Sequence, residues 1–404
     1  MSDASLSLRH RIINAAMRTV YFGRIRVLDL SKNPDSQSPR SASSPAEAAP
    51  ASGADHPAAS ADSPSAPGGG PARRPRLIIA SHRNGAIDGH QVLAAFPHAQ
   101  FLVSIQLLRH WFLRLFIAGI PVVRPKDVER YGLDPASVAN PVEAGLAHLR
   151  RGGDLGIFPE ASSEWGHSPQ PYKPGAARIA CALIDGGINV EVIPLGLFYS
   201  TPDRFRSRAE VVRGPAVTVP DRDGREDKEW EAAVASAMGS ALDAVSVNCP
   251  DEATFTAVEA CALDRARKTS GGEASYARAF LDLQNAAGSA VPDGDRSATA
   301  DRTDGGPTSA NVPATPRAYP VIRCLGFLAL WLFAPILVAA AIAGSRADGR
   351  NTVTFFRILV GFAAVMVWVP VLIIAAFFWP AVIGAGVVSG VLGWLLLGVR
   401  RIRL

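Results

Sequence analysis

Hydrophobic and polar positions along the chain fall into three regimes. Between residues 75 and 220, short apolar runs at 77–80, 100–103, 120–123, 155–158 and 190–197 alternate with helical patterns at about 86–95, 104–118, 140–151 and 174–186. Runs of this length bounded by Gly, Pro, Asn or Asp read as buried strands, and their alternation with helices predicts an α/β domain. A further strand at Glu210 to Arg213 closes the region. From 226 to 284 the pattern is helical throughout, with Trp230, Val234, Met238 and Leu242 recurring every fourth residue on one stripe. The third regime, from Cys324 to Val399, is almost wholly apolar, broken only by the polar stretch Ser345 to Arg357.

The apolar tail holds runs at 324–343, 358–379 and 381–399, each close to the length that crosses a bilayer. Three crossings with a cytoplasmic catalytic domain would leave Arg400, Arg401 and Arg403 outside, against the positive-inside tendency. The expected arrangement is therefore a hairpin turning near Pro380, the first run being re-entrant or interfacial because Pro335 interrupts it. At the other end, Leu6, Leu8, Ile13, Ala16, Val20 and Tyr21 stand among Arg9, Arg11, Arg18 and Arg24. That is a helix with one apolar and one basic side, which either lies in a membrane interface or packs on the domain. Ile25 and Val27 then open a strand over 24–30.

Two stretches, 33–74 and 285–318, are Ser, Ala, Pro and Gly with hardly a large apolar residue. They bury too little surface to offset the entropy of ordering and read as a disordered insertion and a tether. The organisation is thus a basic segment 1–32, an insertion 33–74, a catalytic domain 75–220, a helical extension 221–284, a linker 285–318 and a membrane domain 319–404 with two to three transmembrane segments.

Composition changes the picture in one respect. Of the 404 residues 48% are hydrophobic and 19% charged, so this chain meets lipid, and its formal charge of +5 suits an anionic membrane surface. No nucleic-acid-binding signature appears. The four cysteines are widely spaced and without a C-x-x-C pair, so neither a disulfide framework nor a zinc site is expected. The first thirty residues lack an uninterrupted apolar core, which argues against a secretory signal and keeps the soluble part in the cytoplasm.

Four segments hold candidate chemistry. In Ser81-His82-Arg83-Asn84-Gly85-Ala86-Ile87-Asp88, His and Asp stand six positions apart, a spacing that needs a turn between them, and Asn84-Gly85 supplies it. Asp88 can then orient His82 as a base; taken alone, the pair reads equally as a His near a helix start. Gly156-Ile157-Phe158-Pro159-Glu160-Ala161-Ser162-Ser163 is a strand ending at Pro with a carboxylate beyond, or an ordinary strand exit. Gly119 to Asp127 delivers Arg124 and Lys126 into a loop, and Arg suits phosphate through its planar fork. Ile193-Pro194 precedes Arg204, Arg206 and Arg208. Solvated surface is the plain alternative for these cations.

Taken together and in this order, the four segments resemble the blocks of the glycerol-3-phosphate and lysophosphatidate acyltransferases, the PlsC-like lysophospholipid acyltransferases. Lys173-Pro174-Gly175-Ala176-Ala177 and Arg206-Ser207-Arg208 also fit. Five residues rather than the commoner four separate His82 from Asp88, as in the branch reading His-x-Asn-Gly-x-x-Asp. Ala161-Ser162-Ser163 stands where Gly-Thr-Arg or Gly-Gly-Ser is usual.

The resemblance implies a mixed sheet flanked by helices and transfer of an acyl group from acyl-CoA or acyl carrier protein, as co-substrate, to glycerol 3-phosphate or a lysophospholipid. No cofactor or metal is expected. His82 and Asp88 would be catalytic, with Asn84, Gly85, Arg124, Glu160, Lys173, Arg206 and Arg208 binding substrate. Gly85 would leave space near the thioester, Arg124 would grip the acceptor phosphate, and Glu160 would orient acceptor hydroxyls or an adjacent cation. The apolar stretch from Phe101 to Phe116 either borders the acyl groove or is a core helix. Competing readings are a hydrolase using Ser162 or Ser163, although no G-x-S-x-G elbow is present, and a non-catalytic membrane scaffold.

Overall fold

A computed structural model describes residues 8–22, 25–32, 74–109, 113–115, 117–123, 128, 132, 140–205, 207–268, 275–289 and 318–398. Nearly all of the insertion 33–74 and of the linker 285–318 lies outside the described residues.

Seven strands form one mixed sheet: β1 (Arg26–Asp29), β2 (Arg76–Ala80), β3 (Gln100–Ser104), β4 (Ile120–Val122), β5 (Asp154–Ile157), β6 (Glu191–Tyr199) and β7 (Ala209–Arg213). Their order is β1-β7-β6-β2-β5-β3-β4. All neighbours are parallel except β6 and β7, so β7 and β1 run against the other five. The centre is β2, between β5 and β6, and it is apolar on both faces because helices cover both: Leu77, Ile78 and Ile79 are 0% exposed.

On one face Leu77 and Ile79 pack with α5 (Gly175–Asp185), α6 (Asp227–Asp243), α7 (Glu252–Lys268) and α8 (Tyr276–Ser289). The stripe Trp230, Val234, Met238 and Leu242 is buried here, as its spacing predicts. On the other face Ile78 and Ala80 pack with α2 (Ile87–Ala95), Tyr21 and Phe22. Tyr21 and Phe22 follow α1 (Leu8–Met17) in a short π-helical turn, and their burial favours the reading in which the N-terminal segment packs on the domain.

Two expected helices are shorter than their patterns. Over 104–118 the described helices are α3 (Ile105–Arg109) and a 3₁₀ turn at Leu113–Leu115. The 226–284 region is three helices, and the first break follows from Pro250, which bars Cys249 from helical backbone; Asp251 then caps α7 by accepting the Thr254 N–H at 2.7 Å. At the far end α8 continues to Ser289, five residues past the 284 boundary read from sequence. In α4 (Pro141–Arg150), Asn140 accepts the Val142 N–H at 3.0 Å and Pro occupies the first turn, where no donor is lost.

The apolar tail folds as α9 (Ala318–Ala329), α10 (Ala334–Ser345), α11 (Arg350–Phe378) and α12 (Ala381–Gly398). A 3₁₀ turn at Trp331–Phe333 divides the first apolar run, and Pro335 begins α10 rather than kinking one long helix. Among the described residues one helix, α11, is long and apolar enough to cross a membrane. The first apolar run is thus split into two helices of 12 residues each, roughly 18 Å against a hydrocarbon core of about 30 Å, while α12 is a second apolar helix of 18 residues. Toward the C-terminal end of α11 the side chains face outward, with Ile373 65% and Phe377 85% exposed.

Candidate active site

The site begins where β2 leaves the sheet. Ser81 donates its N–H to Leu195 O at 3.0 Å, and its Oγ accepts the Leu197 N–H at 2.9 Å, so the exit is pinned to β6. The chain then reverses at Asn84-Gly85, with Gly85 at φ +56°, a conformation that glycine adopts without steric cost. A Cβ at Gly85 would also lie 3.2 Å from Asn351 O. This turn starts α2 and swings Asp88 back beneath His82, with Nδ1 and Oδ2 2.9 Å apart.

Asp88 is fully buried, yet its charge is well satisfied. Oδ2 accepts the N–H groups of Arg83 and Asn84, both at 2.7 Å, as well as His82 Nδ1, while Oδ1 accepts the Tyr199 hydroxyl at 2.5 Å. Burial, and next the Asp88 charge, push the Tyr199 hydroxyl well above its ordinary pKa, so it stays a donor. A carboxylate that only accepts places the proton of His82 on Nδ1 and leaves Nε2 as the acceptor nitrogen. The His82 side chain is 16% exposed.

An aromatic ledge lies against the imidazole. Phe158 stacks on His82 with centroids 4.4 Å apart and planes at 19°, and Phe101 stacks on Phe158 at 5.7 Å and 7°. Phe101 fits only because β5 carries glycine at position 156: a Cβ there would lie 2.4 Å from its ring. The result is an apolar shelf beside the His82 ring.

Glu160 follows β5, whose parallel register with β2 pairs Ile79 with Ile157 and so brings the two strand exits side by side. Its Oε1 accepts the His82 N–H at 2.7 Å and its Oε2 accepts the Gln170 N–H at 2.9 Å. At 4% exposure, with burial raising its pKa against the pull of those amides, Glu160 ties the His82 backbone to the loop at Gln170. The charge of Arg83 also acts on the Glu160 carboxyl. Arg83 is buried, stands over the Trp165 ring at 4.5 Å and donates to Gly166 O at 3.0 Å; burial lowers its pKa.

Several expected ligand residues make contacts within the protein. Asn84 is 0% exposed, with its Nδ2 3.5 Å from Pro202 O. Arg208 pairs with Glu210 at 2.6 Å, and Glu210 caps α8 by accepting from Ser275 Oγ and the N–H groups of Tyr276 and Ala277. Lys173 is exposed and its N–H donates to Pro159 O at 2.8 Å, which sets it beside the Glu160 exit. Arg124 and Arg206 lie outside the described residues. Ser163 Oγ accepts from Asn351 Nδ2 at 3.3 Å, and among the described residues no hydrogen bond joins Ser162 or Ser163 to His82. Position 161, where the resembling family usually has glycine, is at φ +62°, so Ala161 holds a glycine-like conformation. No cluster of three His, Cys, Asp or Glu side chains suited to a metal occurs among the described residues.

The first turns of α11 close one side. Asn351 Nδ2 donates to Ser163 O at 2.7 Å, Thr354 Oγ1 to Pro202 O and Arg357 to Asp203 O, while Arg350 pairs with Asp203 at 3.3 Å and lies 5.4 Å over Trp165. Sequence reasoning placed no functional weight on Arg83, Tyr199 or Asn351. Arg83 adjoins His82 and was open to notice, whereas Tyr199 and Asn351 reach the site only through the fold.

No family model matches the chain. It is similar to two Saccharomyces cerevisiae proteins, glycerol-3-phosphate O-acyltransferase 1, 29% identical over 120 residues, and glycerol-3-phosphate O-acyltransferase 2, 32% identical over 119 residues. Each match covers 28% of this chain and 16% of the yeast protein. An uncharacterized acyltransferase of Schizosaccharomyces pombe is 28% identical over 155 residues, 34% of this chain and 23% of that protein. The chain thus has distant relatives among acyltransferases and spans less than a quarter of their length.

Proposed function

We propose that this chain is a membrane-bound O-acyltransferase that moves a fatty acyl group from acyl-CoA or acyl carrier protein to a hydroxyl of glycerol 3-phosphate or a lysophospholipid. The observation that carries the reading is His82 Nδ1 held 2.9 Å from a buried Asp88 at the end of the central strand, with the imidazole stacked on Phe158. The distant acyltransferase relatives support the same reaction class, and the names of the two yeast proteins support the glycerol 3-phosphate acceptor.

In this mechanism His82 Nε2 takes the proton of the acceptor hydroxyl as its oxygen attacks the thioester carbonyl. Asp88 stabilises the imidazolium that forms. Collapse of the tetrahedral intermediate breaks the carbon–sulfur bond, and His82 returns the proton to the departing thiolate. With a thiol pKa of roughly 8.5 the leaving group is good, so holding the two reactants in line is the chief task. Phe158 and Phe101 offer the acyl chain an apolar surface. Exposed Lys173, together with Arg124 and Arg206, supplies the proposed phosphate contacts. The long apolar α11 would anchor the domain to the bilayer, where acyl chains reside, with the catalytic domain on the cytoplasmic side.

The test is transfer of labelled acyl groups from acyl-CoA and from acyl carrier protein by the full chain in detergent, across a panel of glycerol phosphates and lysolipids. Transfer that falls by roughly 10²–10⁴ in His82→Ala supports the reading. Absence of transfer across a panel that a control enzyme acylates would overturn it.

A further inference from the structure

A cavity of about 620 Å³ lies between the N-terminal segment and the apolar helices α9 to α12. Its walls are apolar, among them Leu337, Ala340, Phe362 and Val365, except at the end nearest the catalytic domain, where Tyr21 and Arg357 stand. That end is anchored: Tyr21 OH and Thr354 Oγ1 are 3.3 Å apart, and Arg357 donates to Asp203 O.

Small residues keep the space open. A Cβ at Gly361 would meet Ala340 Cβ at 3.5 Å and one at Gly390 would meet Phe333 at 3.7 Å, both ordinary contacts, so side chains there would fill the cavity rather than break the packing. Its depth is also informative. From Arg357 to Val365 α11 rises roughly 12 Å at 1.5 Å per residue. One leaflet of the hydrocarbon core is about 15 Å deep. The volume falls within the roughly 300–1,000 Å³ usual for small-molecule sites.

From these features we propose that the cavity holds one fatty acyl chain of a phosphate-bearing lipid drawn from the leaflet next to the catalytic domain, with its head group at the level of Tyr21 and Arg357. This deepens the membrane-bound acyltransferase reading and rests on it, because it makes the cavity the seat of the lipid acceptor's or product's own chain. A chain already in the bilayer slides into such a slot without crossing water, so no apolar surface is exposed on entry. The cationic end meets a phosphate where the hydrocarbon stops.

The test is photolabelling of the full chain in detergent micelles with a lysophosphatidate carrying a diazirine at the end of its acyl chain, and separately with an acyl-CoA carrying the same group. Labelled residues are read by peptide mass spectrometry. The expected result is lysophosphatidate label concentrated on Leu337, Phe362 and Val365 and reduced several-fold in Gly361→Phe and, independently, in Gly390→Leu, while Ile383→Phe on the outward face leaves it unchanged.

Label spread evenly over outward residues such as Ile373, Phe377 and Val387, and indifferent to Gly361→Phe and Gly390→Leu, would overturn the proposal. Label in the cavity from the acyl-CoA probe alone would overturn its assignment to a membrane lipid. Labelling needs no turnover, so loss of the acyltransferase reading would show in the transfer assay and not here. Release of the protein from membranes by alkaline carbonate would separately report failure of the membrane reading.

Discussion

The Tyr199 hydroxyl donates to Asp88 Oδ1 at 2.5 Å across 111 residues of sequence, joining the end of β6 to the first turn of α2. Tyr199 is one of the donors that satisfy the 0% exposed Asp88 carboxylate under His82. Removing it leaves Oδ1 without its hydroxyl donor in a buried site. Tyr199→Phe should cost about 1–3 kcal/mol of stability, read by denaturant unfolding. Transfer should slow roughly tenfold, about the 1.4 kcal/mol of one lost hydrogen bond, and less than in Asp88→Asn, which also disturbs the tautomer of His82.

Ala161 sits at φ +62° directly after Glu160. A left-handed backbone costs a residue with a Cβ roughly 1–2 kcal/mol, while the extra freedom of glycine in the unfolded chain costs about 0.5–1 kcal/mol. Ala161→Gly should therefore stabilise the protein by about 0.5–1 kcal/mol, seen as a higher denaturation midpoint at unchanged slope. An unchanged or lower midpoint would contradict this account of the turn.

Gly156→Ala tests the aromatic shelf. The added methyl would lie 2.4 Å from the Phe101 ring, and the ring must shift because β5 is a central strand that cannot. Overpacking of this kind costs about 1–3 kcal/mol. The displacement passes along Phe101 and Phe158 to His82, so kcat should fall, and Phe101→Leu in the same background should restore part of both stability and rate.

His148 supplies a pH dependence outside the site. It is 8% exposed, its Nε2 lies 3.1 Å from Asp154 O, and burial lowers its pKa. The folded state thus favours the neutral ring, so as pH falls below about 6.5 the unfolded chain takes up the proton first. The stability that His148 contributes is fully present above that pH and is lost on acidification until the folded pKa is reached, at up to about 1.4 kcal/mol per pH unit. His148→Gln keeps a donor for Asp154 O and removes the titration. Unfolding free energies from pH 7 to pH 5 should fall less steeply in the variant than in the wild type.

Much of the fold was legible because its signals are local. Each strand of the parallel core is a short apolar run, since burial on both faces removes alternation, and the α6 stripe shows at helical spacing which side is inside. The His82–Asp88 pair was legible for a related reason: an Asn-Gly turn between a strand and a helix dictates the reversal that joins them. Duties set by distant partners were not legible. Nothing near Arg208 in the sequence shows that β7 sets it on Glu210, and nothing near Glu160 shows that the β2–β5 register sets it on the His82 amide.

By itself the sequence determined the α/β class, the central strands, the pairing of His82 with Asp88, and the apolar character of the tail, because each rests on residues within one turn or one element. Only the tertiary structure decided that Tyr199 completes the Asp88 shell, that Asn351 and Thr354 bind the first turns of α11 to the loops around His82, and that the tail's helices enclose a cavity. Those outcomes depend on which surfaces meet across strand order and helix packing, and apolar patterning specifies that a face is buried without specifying what it is buried against.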